Sequence, residues 1–139
     1  RQRLQAFKAA TRGMPTHIHH GSYRHREGYK GALALLQEGV TALIAGDSMM
    51  TAGALEACHN AGKRIGEEIA LVGFDDFIYL RFQPSPISVV DQDVARMGET
   101  ATAKLIAAIN EKHQPEGEVL ETRYIPRMST AHQLDGATP

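Results

Sequence analysis

Four of the chain's seven histidines lie within nine residues, between His17 and His25, and such a group could bind a metal ion. On a strand, His17 and His19 would point to the same face, and His25 could complete a zinc shell. The paired spacing of structural zinc sites is missing, however, and a histidine-rich tract is only compositional evidence for metal binding. We therefore expect exposed imidazoles at the end of a strand, with no metal and no cofactor. His25 is the one histidine that we would test with zinc.

Carboxylates follow two apolar runs that are typical of buried strands. Asp47 comes shortly after the run 41–45, and Asp75 comes shortly after the run 69–73. A carboxylate at such a junction can bond a polar ligand, although capping of the next helix explains Asp47 equally well. Asp75 and Asp76 are adjacent, and neighbouring side chains of an extended segment diverge, so they are not placed like a glycosidase acid and nucleophile. The residues predict binding rather than catalysis.

The composition limits the other classes of function. The formal net charge is -1 at pH 7, with acidic and basic residues interspersed, so no basic surface for nucleic acid is evident. Cys58 is the only cysteine and reads as a small core residue rather than a nucleophile, and its lack of a disulfide partner fits a reducing compartment. No apolar run approaches the roughly 18 residues that span a bilayer. We expect a cytoplasmic protein that has no membrane partner.

Short apolar runs alternate with amphipathic stretches, and this alternation predicts the elements that position the polar residues. It implies an α/β fold, a Rossmann-like parallel sheet with helices on both faces, in which ligands bind beyond the carboxyl ends of the strands. The predicted helices are 1–12, 24–38, 48–61 and 91–112, the last one capped by Asp91. The predicted strands are 16–20, 41–45, 69–73 and 87–90, with a loop at 74–86, an extended segment at 119–125 and a loose tail at 131–139.

Six stretches, in this order, resemble the C-terminal half of the effector-binding core of the lac and galactose repressor (LacI/GalR) family of bacterial transcription regulators. Arg3 to Phe7 resembles the family's Arg-x-x-Gly-Phe segment, and 21–29 its Gly-x-aromatic stretch ending in Gly-Tyr. The stretch 41–55 is similar to Thr-Ala-x-x-x-x-Asn-Asp-x-Met-Ala-x-Gly-Ala-Leu. The remaining three are 62–76, which ends in Gly-Phe-Asp-Asp, 86–98, which contains Val-x-Gln, and the closing Arg-x-Ser-Thr at 127–130. The resemblance covers nearly the whole chain.

The resemblance implies the type I periplasmic-binding-protein architecture, in which two Rossmann-like lobes close on a small ligand at their hinge. This chain would hold one lobe and part of the other. Residues 1–90 would form the C-terminal lobe, 91–117 a crossover helix of the N-terminal lobe, and 118–130 the strand that returns to the C-terminal lobe. The family's DNA-binding domain would be absent, so we expect the chain itself not to bind operator DNA.

The resemblance also implies the residues of a ligand site. Arg3 would grip ligand hydroxyls or a carboxylate, and Tyr23 would lie where an aromatic ring flanks the ligand. Asp75 falls on the carboxylate that fixes sugar hydroxyls, and Gln92 on the crossover to the other lobe. Asp47 falls on the ligand-binding Asn of the family pattern, and this departure changes the hydrogen bonds that are offered to the ligand.

The leading hypothesis is the ligand-sensing fragment of a LacI-type regulator of carbohydrate metabolism, a repressor, whose sugar-like effector shifts the balance of open and closed lobes. We expect a homodimer. The apolar face of helix 91–112 predicts that this fragment either pairs with another chain through that helix or comes from a longer regulator, in which a further segment covers the face. The alternative is a periplasmic sugar-binding protein of a transport system, which an upstream signal peptide would favour. A sugar-processing enzyme is the third possibility, and the sequence offers no nucleophile or metal site for it.

Overall fold

The computed structural model describes residues 2–111 and 114–134, and six helices and four strands follow one another along them. Within these residues, no helix combines the length and the apolar character that crossing a membrane requires. The elements are α1 Gln2–Ala10, α2 His25–Gln37, β1 Ala42–Ile44, α3 Ser48–Asn60, β2 Ala70–Phe74, α4 Ile78–Arg81, β3 Ser88–Asp91, α5 Val94–Glu111, β4 Arg123–Ile125 and α6 Met128–Leu134.

The four strands form one sheet in the order β1, β2, β3, β4. The first three are parallel, with Leu43 opposite Leu71 and Gly73 opposite Val89, whereas β4 returns antiparallel beside β3. Leu43, Leu71 and Val89 are buried and belong to the main hydrophobic core, together with apolar residues of α2 and α3. The predicted α/β fold with a mainly parallel sheet is confirmed, and the carboxyl ends of β1, β2 and β3 lie side by side.

Helices α2 and α3 pack with their backbones almost in contact. A Cβ added at Gly53 would lie 2.2 Å from the His25 carbonyl oxygen, and one added at Gly28 would lie 2.6 Å from the Met50 Cα. Only glycine allows this approach, because any side chain would force the helices apart. The pair packs against β2 through α3, and the N-terminus of α3 thereby lies beside the carboxyl ends of β1 and β2.

Two predicted strands differ from the structure. Residues 15–22 form no strand, because they pair with no neighbouring strand, and the His19 imidazole packs against Gly31 of α2 instead. The run 41–45 is not buried on both sides: Leu43 is buried, but Ala42 and Ile44 are exposed. Successive side chains of a strand point to opposite faces, and the face of β1 that carries Ala42 and Ile44 is uncovered among the described residues.

The second half of the chain also departs from prediction in detail. The loop 74–86 contains the short helix α4, and α5 begins at Val94, where the Asp93 carboxylate rather than Asp91 accepts from the Arg96 backbone N–H at 3.1 Å. Residues 131–134, predicted to be loose, belong to α6. Residues 135–139, and the predicted helix end at Lys112, lie outside the described residues.

Candidate functional site

Three predicted site residues meet in one hydrogen-bonded relay, which we call the Arg3–Gln92–Asp75 relay. Arg3 Nη2 donates to Gln92 Oε1 at 2.7 Å, and Gln92 Nε2 donates to Asp75 Oδ1 at 2.7 Å. A guanidinium can only donate and a carboxylate can only accept, so the amide between them has one possible orientation. Residues that are 89 and 17 positions apart in sequence are therefore joined at the carboxyl ends of the strands.

The guanidinium of Arg3 has an aromatic support. It lies over the Phe74 ring, 4.2 Å from the centroid, and Nη1 donates to the Gly46 carbonyl oxygen. A cation over a ring face is held electrostatically, which fixes the guanidinium plane without a carboxylate. Within the part of the chain that the structure describes, Arg3 forms no ion pair with Asp or Glu.

Asp75 adopts a backbone conformation that few non-glycine residues adopt. Its φ is 61°, in the left-handed region, and its backbone N–H donates to Val90 O at 3.0 Å. Asp93, shortly after the neighbouring strand β3, has a φ of 50°. Aspartate tolerates this region better than most residues, and such conformations cluster at functional sites. Asp75 and Asp93 therefore form sharp turns after the adjacent strands β2 and β3, and in sequence they lie before and after Gln92.

The adjacent carboxylate, Asp76, has a different environment. Its two oxygens accept from Arg127 at 2.6 Å and from Arg81 at 2.8 Å. Burial by itself raises the pKa of Asp76, but hydrogen bonds and charge from Arg127 and Arg81 outweigh this effect and lower the pKa below its ordinary value. The divergence predicted for the two neighbouring carboxylates is confirmed: Asp75 turns to Gln92, and Asp76 turns to two arginines.

Asp47 and Tyr23 lie apart from this hydrogen-bonded relay. Asp47 Oδ1 accepts from the Met50 backbone N–H at 2.6 Å and caps α3. Capping thus engages one oxygen of this carboxylate, as the structural alternative for Asp47 predicted. Tyr23 is 72% exposed, and no hydrogen bond or ring stacking of Tyr23 is found among residues 2–111 and 114–134. Their part in a ligand site stays a prediction.

Two histidines of the group between His17 and His25 contact carboxylates that lie far from them in sequence. The His17 imidazole contacts the Glu38 carboxylate, and His25 Nε2 lies 2.9 Å from a carboxylate oxygen of Glu56, which joins α2 to α3. No group of three or more His, Cys, Asp or Glu side chains in the described ranges could hold a metal ion. His17 and His19 do not share a strand face, because residues 15–22 form no strand.

Sequence reasoning missed two residues of this region. By sequence, Phe74 is only part of the Gly-Phe-Asp-Asp motif, yet its ring supports Arg3. Thr51, which is fully buried, joins the end of β2 to the start of α3 through its hydroxyl. A signal for Thr51 was present, because the family pattern has Ala at this position and a buried hydroxyl must find partners.

Comparison with known proteins identifies the family to which the chain belongs. The family model for the periplasmic binding protein-like domain matches residues 1–130. The HTH-type transcriptional repressor MelR of Bacillus subtilis is 31% identical over 131 residues, which is 92% of this chain and 38% of the repressor. The HTH-type transcriptional regulator MalR of Streptomyces coelicolor is 30% identical over 115 residues, which is 82% of this chain and 33% of the regulator.

Solved structures show the same architecture. A probable LacI family transcriptional regulator from Corynebacterium glutamicum has a TM-score of 0.78 and 36% identity, over 92% of this chain and 48% of that one. The complex of the transcriptional regulator CelR with cellobiose has a TM-score of 0.79 and 26% identity, over 92% of this chain and 42% of that one. The chain spans less than half the length of each of these relatives. It belongs to the periplasmic binding protein-like domain family, in the form that LacI-type transcriptional regulators carry.

Proposed function

We propose that the chain is the ligand-sensing part of a LacI-type transcriptional regulator and that it binds a small sugar-like effector at the Arg3–Gln92–Asp75 relay. The observation that carries the proposal is the relay itself. A sugar hydroxyl both donates and accepts, so a ligand can accept from Arg3 and donate to Asp75 as the Gln92 amide does. The Phe74 ring, which supports Arg3, places an aromatic group beside these polar groups, a combination that is common in sugar sites.

The proposed division into lobes rests on the surface of α5. None of residues 94–110 is buried, and the large apolar side chains of the helix are exposed, with Leu105 at 60% and Ile109 at 67%. An amphipathic helix with an uncovered apolar face needs a partner. We assign 1–90 and 118–130 to the C-terminal lobe and 91–117 to the N-terminal lobe. Gln92 then stands at the crossover, where a change in the relay can reach the other lobe.

The remaining parts of the proposal concern the whole protein. It acts as a homodimeric repressor in the cytoplasm and binds operator DNA through an N-terminal domain outside these 139 residues. It performs no catalysis. The HTH-type regulators among its relatives favour this function over that of a periplasmic transport protein. Tyr23 and Asp47 complete the ligand site in this proposal, with Asp47 using the carboxylate oxygen that does not cap α3.

A thermal-shift screen of the full-length protein tests the proposed ligand class. The screen uses neutral mono- and disaccharides, with cellobiose included because a related regulator binds it. We expect at least one sugar to raise Tm, and Arg3→Ala to abolish that rise. Arg64→Ala is the matched control, because Arg64 is also exposed but pairs with Glu67 and Glu68 rather than with a residue of the relay. Equal ligand shifts in the Arg3 and Arg64 variants would refute the site.

A further inference from the structure

We infer that Thr51 is a positioning residue for the relay. Its buried hydroxyl replaces a backbone hydrogen bond that is missing between β1 and β2, and it thereby sets the positions of Phe74 and Asp75. The effect of Thr51 on ligand binding rests on the proposed function, whereas the geometry of its hydrogen bonds does not. Thr51 contacts neither Arg3 nor Gln92 nor Asp75 by a hydrogen bond in the described residues. It would act on a ligand only through the backbone.

The hydrogen bonds between β1 and β2 show which inter-strand hydrogen bond is missing. The Ala70 N–H donates to Thr41 O at 2.9 Å, and the Ala45 N–H donates to Val72 O at 3.0 Å. In a parallel ladder every second residue of a strand bonds to the same neighbour, so Phe74 is due to donate towards β1. It donates instead to Thr51 Oγ1 at 3.0 Å, because β1 has already ended at Ile44.

The same hydroxyl also holds the other side of the junction. Thr51 Oγ1 donates to the Asp47 carbonyl oxygen at 2.6 Å, so one hydroxyl accepts from the end of β2 and donates to the start of α3. Thr51 is fully buried. A buried hydroxyl that uses both its donor and its acceptor has one allowed rotamer, which makes it a rigid spacer.

Close packing against β2 adds to this rigidity. A Cβ added at Gly73 would lie 2.4 Å from Thr51 Cγ2 and 3.0 Å from Thr51 Oγ1. The methyl group of Thr51 therefore rests directly on the Gly73 backbone, while the hydroxyl holds the next residue, Phe74. Since the Phe74 ring supports Arg3 and Asp75 receives the Gln92 amide, a shift of this backbone moves both ends of the relay.

The test replaces the hydroxyl without changing the shape of the side chain. In Thr51→Val, we expect the Phe74 amide hydrogen to exchange about tenfold faster, because it loses its acceptor. We also expect the NMR signals of the Gln92 side-chain amide and the Arg3 guanidinium to shift. Thr51→Ser keeps the hydroxyl and should restore the amide exchange and these side-chain signals. If Thr51→Val does not fold, Thr51→Ala is read in the same way.

Ser129→Ala is the matched control. The Ser129 hydroxyl also bridges two strands while fully buried, since it donates to Leu71 O at 2.6 Å and accepts from the Ser88 N–H at 2.8 Å. We expect this variant to lower Tm without shifting the Gln92 and Arg3 signals. Unchanged signals in Thr51→Val, no rescue by Thr51→Ser, or an equal shift in Ser129→Ala would overturn the inference. None of these readouts needs a ligand, so failure to bind any sugar refutes the proposed function separately.

Discussion

Two polar clusters of this domain are built in opposite ways. The closing cluster consists of Asp76 with Arg127, Ser88, Ser129 and Thr130, and it joins β3 and the segment after β2 to the start of α6 and the residue before it. Ser88 and Ser129 are fully buried, and the Ser88 hydroxyl lies 2.7 Å from Thr130 Oγ1. The Arg3–Gln92–Asp75 relay, in contrast, has an exposed arginine at one end and only half-buried partners.

The difference in burial between the two clusters indicates a difference in role. A buried hydrogen bond is costly to leave unmade, so every member of the closing cluster stabilises the fold. An exposed hydrogen bond exchanges with water at little cost, so the relay contributes little stability and can be replaced by the hydroxyls of a ligand. The two neighbouring aspartates separate the two roles: Asp75 belongs to the relay and Asp76 to the closing cluster.

The largest effect on stability is expected from Asp76→Ala. The side chains of Asp76 and Arg127 are only 12% and 15% exposed, so removing the carboxylate leaves a largely buried guanidinium without its counter-ion. We expect the free energy of unfolding, measured by urea denaturation, to fall by about 3 kcal/mol. The control is Glu67→Ala, which breaks an exposed ion pair with Arg64 and should change it by less than about 0.5 kcal/mol. Similar losses in both variants would remove the distinction between the clusters.

Acidification is expected to weaken the same cluster by a smaller amount. Burial opposes but does not cancel the two arginines, so the pKa of Asp76 is lower in the folded than in the unfolded protein. A lowered folded-state pKa stabilises the fold above the unfolded value of about 3.9 and loses that stabilisation as the pH falls through the folded value. The stability difference between the wild type and Asp76→Asn should therefore shrink between pH 6 and pH 3. A pH-independent difference would contradict the assignment.

A smaller effect on stability than that of Asp76→Ala is expected from Arg3→Ala. The arginine is exposed, and it contributes one cation–π contact and two hydrogen bonds at the surface. We expect a loss of at most about 1 kcal/mol in the free energy of unfolding. A loss as large as that of Asp76→Ala would mean that the relay is structural, and the contrast between the two clusters would fail.

The sequence predicted those features that depend on local pattern or on the family resemblance. The runs around Leu43 and Leu71 predicted parallel strands, and the resemblance named Arg3, Asp75 and Gln92, which the fold brings together. Features that depend on where a neighbouring strand begins or ends were missed. Residues 16–20 have a strand-like composition but find no partner strand.

Thr51 shows the same limit at the level of one side chain. Its hydroxyl matters because β1 ends at Ile44, too early to accept a hydrogen bond from the Phe74 N–H. The alignment of β1 with β2 that causes this cannot be predicted from either segment alone. Asp47 shows the converse, since its capping role is local and could be predicted from its place before a helix. The long-range hydrogen bonds of the site are thus its least predictable part.

The measurement that tests the central claim most directly compares Asp75→Asn with Asp76→Asn in the full-length protein. Both changes remove one negative charge without altering shape, and asparagine tolerates the φ of 61° at position 75. With a sugar identified by the thermal-shift screen, calorimetry should show an affinity at least about tenfold weaker for Asp75→Asn, with an unchanged free energy of unfolding. Asp76→Asn should show the reverse, a lower stability with unchanged affinity. Equal affinity in Asp75→Asn and the wild type would contradict the proposed site.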